Sequence, residues 1–269
     1  MKILDGKIVR DEILAHLKIE FAKLVGVTKL AIIQVGVRTD SDAYIRQKKI
    51  SAEKIGAVVE HIKFSDDCSQ TEITEKISAL NSDKNVQGII VQLPLPSGLN
   101  ANEIFETINP SKDVDGLTEK NLSRLLAGDS EGLVPATAKG VLKILDYYQI
   151  PIDGKRATVI GRSRLVGKPI ALMLKARGAL VTICHRETKN PAILAREADI
   201  LVSAAGQKNL VGKDFVSLNQ TIIDVGNDVD LPAVKDIVGA LTPTPGGVGP
   251  MTVACLFENL LKARIIQCR

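Results

Sequence analysis

The sequence predicts an α/β protein of two domains facing across a cleft, each built on a parallel sheet. Three observations carry this. Apolar runs of strand length alternate with stretches of helical spacing along most of the chain. Some of these runs are continuous, as in KLAIIQVG (29–36), which is the pattern of a strand buried on both faces. The alternation breaks once, at the Pro/Asp/Gly-rich NPSKDVDGLTEKN (109–121), and a second α/β unit follows it. With 269 residues the chain can bury two modest cores.

The elements follow in order. Residues 6–24 place Ile8, Ile13, Leu14, Leu17, Ile19, Phe21 and Leu24 at broadly helical spacing. Strands are expected at 29–36 and 57–64 with a helix over 41–55 between them. Ser69 ahead of Glu72 reads as the cap of a helix over 70–80. VQGIIVQLPLP (86–96) reads as a strand stopped by prolines. A long helix is expected from Thr137 to Tyr148, then a strand at 156–161, a helix at 165–178 closed by Gly178, and a strand at 179–184. A short helix and strand fit 195–206, another strand fits 220–226, and an amphipathic helix fits 251–266. If that last helix returns to the first domain, the division is 1–118 plus 250–269 against 119–249, with hinges at 118–137 and 241–250.

Composition narrows the partners. Hydrophobic residues make up 45% and charged residues 25%, which is ordinary for a globular chain. Aromatics are 3% with no Trp, so the core must be aliphatic. Net charge is +4, from 35 basic and 31 acidic residues, too balanced for a nucleic-acid or membrane partner and compatible with a small anionic ligand. Cys68, Cys184, Cys255 and Cys268 are scattered, with no metal-ligand spacing, so reduced thiols and no metal site are expected. The N-terminus lacks a signal-peptide stretch, and no run approaches ~20 apolar residues, so a cytoplasmic location is expected.

Six stretches carry chemistry. Gly161-Arg-Ser-Arg-Leu-Val-Gly167 lies between a strand and a helix, a Rossmann-like arrangement with altered spacing. Gly161 permits the turn, Ser163 is small enough for close backbone approach, and Gly167 allows close packing; an ordinary βα turn would read the same way. The next strand ends in Cys184-His185-Arg186, where an NAD enzyme usually carries an acid. Arg162 and Arg186 instead suit the 2′-phosphate of NADP, although either alone reads as a solvated surface arginine. Tyr44 and Lys48 lie four apart and share a helix face, although with Lys49 and Lys54 nearby a solvated basic face is the default reading, and Gln92 ends an apolar strand at the end where open sheets bind ligands. Asp113 and Asp115 sit in KDVDG, where Asp also serves simple turns. Finally, Thr242-Pro-Thr-Pro-Gly-Gly-Val-Gly-Pro250 is stiff at three prolines and permissive at three glycines, and can present bare N–H groups to a ligand.

Together, SDAYIRQKK, GIIVQLPLP, NPSKDVDG, GRSRLVGKP, VTICHR, ADILVSAAG, IDVGN and TPGGVGPMTVACL resemble, in order and over nearly the whole chain, the methylenetetrahydrofolate dehydrogenase/methenyltetrahydrofolate cyclohydrolase family. The resemblance implies a homodimer that oxidises 5,10-methylenetetrahydrofolate with NADP and hydrolyses the methenyl product. It implies Lys48 as catalytic lysine, Gln92 as its hydrogen-bond partner, Tyr44 over the folate and Asp115 on the pterin. Leu93, Pro94, Pro245, Gly246 and Gly247 would complete the folate site. Gly161, Arg162, Ser163, Gly167, His185, Arg186, Ala205 and Gly206 would hold NADP. The sequence departs from the family at Ile50 (usually Lys), at Ala136 and Ala138 (usually Cys and Pro), at Lys208 (usually Pro) and in a shortened stretch between Gly226 and Leu241. These departures leave open a hydrolase with weakened or NAD-using oxidation. A different two-domain oxidoreductase would explain the glycine loop but not Tyr44, Lys48, Gln92 and Asp115 arriving with PGGVGPMT, and a non-catalytic binding protein would explain neither.

Overall fold

The computed structural model describes residues 1–129 and 131–268. The chain runs β1 (Lys2–Ile3), α1 (Gly6–Ala22), β2 (Lys29–Val35), α2 (Thr39–Ile55), β3 (Val58–Phe64), α3 (Gln70–Ser82), β4 (Gly88–Val91), α4 (Ala101–Glu106) and α5 (Glu119–Leu126). It continues with α6 (Ala136–Tyr147), β5 (Arg156–Ile160), α7 (Gly167–Ala176), β6 (Leu180–Cys184), α8 (Pro191–Arg196) and β7 (Ile200–Ser203). A 3₁₀ turn (Lys213–Phe215), β8 (Thr221–Asp224), α9 (Leu231–Val234), β9 (Ala240–Leu241) and α10 (Val248–Gln267) complete it. No helix of the described residues is long and apolar enough to cross a membrane.

Two compact units result: Glu12–Ala136 with Val253–Arg269, and Met1–Asp11 with Thr137–Thr252. Compared with the sequence expectation, residues 1–11 and 250–252 join the second unit and 119–136 the first. The first unit holds a three-stranded sheet, order β3-β2-β4, and the second a six-stranded sheet, order β1-β9-β8-β7-β5-β6. Every strand pair is parallel, as the continuous apolar runs require.

Strand position explains the burial. Central β2 is buried from Leu30 to Val35, and β7 and β8 are buried throughout. Edge strand β6 instead leaves Leu180 and Ile183 exposed. In each sheet the chain lays a strand on one side and then returns to the other. The reversals fall between β2 and β4, and between β5 and β7, and open sheets bind ligands at such points beyond the carboxyl ends of their strands.

Three expectations are corrected. α10 is not amphipathic: Met251, Val253, Ala254, Cys255, Leu256, Phe257, Asn259 and Leu260 are all buried, so apolar residues surround its axis. β4 ends at Val91 rather than at 96, because two prolines beyond it cannot donate to a ladder. Residues 2–3 and 240–241, unread as strands, pair with each other across the length of the chain.

Candidate active site

In the three-stranded unit, α2 carries two of the expected residues. Its start is tied to the sheet by buried Gln34, whose Nε2 donates to Asp42 Oδ1 at 3.0 Å and whose Oε1 lies 2.7 Å from His61 Nε2. Its end is closed by Gly56 in the left-handed region. Three turns in, Lys48 is only 7% exposed. Its Nζ donates to Gln92 Oε1 at 2.8 Å, and Gln92 Nε2 donates to the Leu93 carbonyl at 2.9 Å, which orients the amide. Gln92 is itself held by its N–H on the Ile33 carbonyl at 2.8 Å, so it continues the β4 edge against β2. Tyr44, one turn before Lys48, is 52% exposed. Leu93 is half-buried and Pro94 exposed, joined by a cis bond.

The two aspartates of the 113–116 turn divide the work. Asp113 is buried and builds the turn: Oδ1 accepts the Gly116 N–H at 3.0 Å, and Oδ2 accepts from Thr118 N and Asn121 Nδ2 at 2.8 and 2.9 Å. Gly116 has φ +73° and packs against Val134 and Pro135, so no side chain fits there. From α10, Asn259 Nδ2 donates to the carbonyls of Val114 and Val134 at 2.9 and 2.7 Å and fixes both strands of this corner. Asp115, set in this frame, is the charge that faces Lys48. Burial pulls the Lys48 ammonium below the usual lysine range, and the Asp115 carboxylate partly restores it. Burial pushes the Asp115 carboxyl up, Lys48 draws it back, and Asp113 adds to the rise.

In the six-stranded unit, a pocket of about 740 Å³ lies where β5 and β7 end. Gly161, Arg162, Ser163, His185, Arg186, Ala205 and Gly206 all line it. Gly167 lies beneath: a Cβ there would strike the Gly161 carbonyl, while a Cβ on Gly161 (φ +114°) would strike that of Ala204. Both glycines are thus demanded by packing. Ser163 Oγ accepts N–H groups of Val166 and Gly167 at 3.3 and 3.2 Å, which caps α7 and leaves the hydroxyl hydrogen to donate. Arg162 and Arg186 are exposed at the rim. An acid that the sequence reading missed, Glu187, sits 3.4 Å from the Arg162 guanidinium and 3.6 Å from His185 Nδ1. Gly cradle, capped helix start and two arginines fit a dinucleotide with an added phosphate.

Pro245, Gly246 and Gly247 also belong to the six-stranded unit, and so are not in the unit that holds Lys48. Gly246 has φ +117° and its carbonyl accepts the Gly6 N–H at 3.0 Å. A Cβ on Gly6 would strike the Gly247 carbonyl, so this loop is packed on the start of α1. Among the departures, Ile50 is 40% exposed and Ala136 and Ala138 are buried. Lys208 lies exposed beyond the pocket wall.

The chain matches the family "tetrahydrofolate dehydrogenase/cyclohydrolase, catalytic domain" over residues 4–115, and its NAD(P)-binding domain over residues 135–268. It is 44% identical over 271 residues to the bifunctional protein FolD of Methanoculleus marisnigri, covering 97% of this chain and 95% of that one. Its structure superposes on the bifunctional methylenetetrahydrofolate dehydrogenase/cyclohydrolase of Campylobacter jejuni with TM-score 0.94, 39% identity and 99% of each chain. It likewise matches the Trypanosoma brucei enzyme, solved with NADP cofactor and inhibitor, with TM-score 0.94 and 32% identity, covering 99% of this chain and 98% of that one.

Proposed function

We propose that this chain, which belongs to the tetrahydrofolate dehydrogenase/cyclohydrolase family, is bifunctional: it oxidises 5,10-methylenetetrahydrofolate to the 5,10-methenyl form with NADP and hydrolyses that to 10-formyltetrahydrofolate. The observation that carries this is the buried Lys48 bonded to Gln92 and opposed by Asp115, in a chain whose other unit carries the glycine-cradled pocket.

NADP, when bound, supplies the hydride acceptor. The chain's part in oxidation is placement. Gly161 and Ser163, with Gly167 packed beneath them, would hold the pyrophosphate, Arg162 and Arg186 the 2′-phosphate, and His185, Ala205 and Gly206 would line the remaining walls. Asp115 accepts from the amino-pyrimidine edge of the pterin, Tyr44 lays its ring on it, and Leu93 and Pro94 supply apolar wall. Pro245, Gly246 and Gly247 enter the folate site only as the resemblance implies, since the Gly246 carbonyl and the Gly247 N–H are already bonded within their own unit. Hydrolysis needs a base. Burial favours the free amine of Lys48 over the ammonium, and Gln92 aims it. Lys48 takes one proton of the water as its oxygen bonds to the methenyl carbon. The new hydroxyl becomes the formyl carbonyl as the bond to N5 breaks, and N5 receives the proton released.

Four free cysteines suit a reducing cytoplasm. A second copy of the chain would cover the exposed Leu180 and Ile183 of edge strand β6, which supports a homodimer; light scattering of Ile183→Lys should then report monomer.

One progress curve tests the main reading. Given methylenetetrahydrofolate with NADP, the protein should yield reduced cofactor and formyl product together. Glu187 beside Arg162 favours some NAD use, so the same curve with NAD measures that preference. Hydrolysis of added methenyltetrahydrofolate without any cofactor reduction would reject the dehydrogenase half.

A further inference from the structure

Behind the pocket lies a second pair of carboxylates that the reaction does not use. Asp228 is fully buried and Asp224 is 4% exposed. Such charges persist only when hydrogen bonds replace water. Asp228 Oδ2 accepts from Ser203 Oγ at 2.7 Å and from the Ala205 N–H at 2.8 Å, and Oδ1 accepts the Gln207 N–H at 2.6 Å. Gly226 makes room for it, because a Cβ there would lie 2.6 Å from both oxygens.

The Asp228 N–H in turn donates to Asp224 Oδ1 at 2.9 Å. Asp224 Oδ2 accepts the Thr244 hydroxyl at 3.0 Å, and the Asp224 N–H donates to Thr242 Oγ1 at 2.8 Å. None of these bonds is needed for strand pairing, since β7 and β8 are already registered from Ile200 to Ser203. They reach two loops instead. One, residues 205–207, is exposed wall of the pocket, lies in neither strand nor helix, and includes Gly206 at φ +67°. The other, residues 242–247, contains the proline-glycine turn.

We propose that Asp228 and Asp224 are positioning residues: they clamp the 205–207 wall of the cofactor pocket and the 242–247 loop to one carboxylate pair, so that both are held in a single geometry. This rests on the pocket being that of NADP. Lys208, at a position where a proline would stiffen the wall from within, leaves that task to Asp228 from below.

The test uses Asp228→Asn and Thr244→Val on the whole chain. In Asp228→Asn the amide cannot accept from all three donors, and a hydrogen bond to a charge is lost. The NADPH dissociation constant, read by fluorescence titration, should rise about tenfold. Amide exchange at Ala205 and Gln207 should quicken without any cofactor present, while hydrolysis of methenyltetrahydrofolate changes less than about twofold. Thr244→Val, isosteric at an exposed position, should raise the folate KM about fivefold, and Thr244→Ser should restore it. Unchanged exchange at residues 205–207 in Asp228→Asn, or a parallel loss of NADPH binding, hydrolysis and melting temperature, would overturn the proposal. Should that variant fail to fold, failure of Thr244→Ser to restore what Thr244→Val loses would do the same. Wild-type protein that binds no NADPH would instead reject the cofactor reading, and the exchange data would still judge the clamp.

Discussion

The two units build their sites by opposite means. In the three-stranded unit the proposed working group is one buried lysine, and the reactivity proposed for it comes from what surrounds it: lost water, an aimed amide and an opposed carboxylate. In the six-stranded unit the pocket is open, its arginines are exposed, and its shape comes from backbone that no side chain could share. The first design tunes a pKa and the second offers a mould with a charged rim. Desolvation multiplies the effect of each charge, whereas exposed charges are screened, so substitutions in the two sites should differ in size and kind.

The largest effect should come from Lys48→Ala, which removes the proposed base. Hydrolysis of methenyltetrahydrofolate should fall by about 10²–10⁴, with NADPH binding, read by fluorescence, left intact. An unaltered rate would end the role assigned to Lys48. Next, Gly161→Ala drives a Cβ into the Ala204 carbonyl. NADPH affinity should fall by two orders of magnitude, roughly, with about 1–3 kcal/mol of stability lost in denaturant melts, and hydrolysis should survive. Loss of both activities together would show that the mould and the lysine are not separable.

Asp115→Asn sharpens the electrostatics. The carboxylate raises the lysine pKa against the pull of burial, so removing it lets that pKa fall further. Because the free amine is the active form, the rising limb of the hydrolysis pH profile should move to lower pH; movement to higher pH would contradict the assigned charge pairing. Arg186→Ala, at the exposed rim, should raise the NADP KM only about three- to tenfold and leave that for NAD alone. The smallest effect should be Ile50→Lys, which adds the charge that the family usually carries. Residues two apart on a helix face different ways, so the pH profile should shift by less than about half a unit.

Much of both sites was legible. Spacing placed Tyr44 and Lys48 on one face but read that face as solvated, and only the burial of Lys48 and its bond to Gln92 correct this. Gly161 and Gly167 stood at the places where a strand turns into a helix. The residues alone did not separate Asp113 from Asp115, since both fit a turn; the resemblance named Asp115, and the hydrogen bonds show Asp113 to be the turn-builder beside it. Asp228 was hidden for the same reason: GNDVD reads as a surface turn, yet its partners lie 21 to 25 residues away in sequence. Glu187 was missed because nothing local ties it to Arg162.

The family of chemistry was implied by resemblance, and the sequence by itself determined the alternation of parallel strands and helices and the places of the glycines. These depend on periodicity and on short-range sterics, which neighbouring residues set among themselves. Tertiary structure alone decided which helix is wrapped on all sides, where the chain passes between units, and that Asp113 is the aspartate that builds the turn. Those outcomes depend on burial and on contacts between distant segments, as when Lys2 pairs with Ala240, and no local pattern encodes which partner will displace the water.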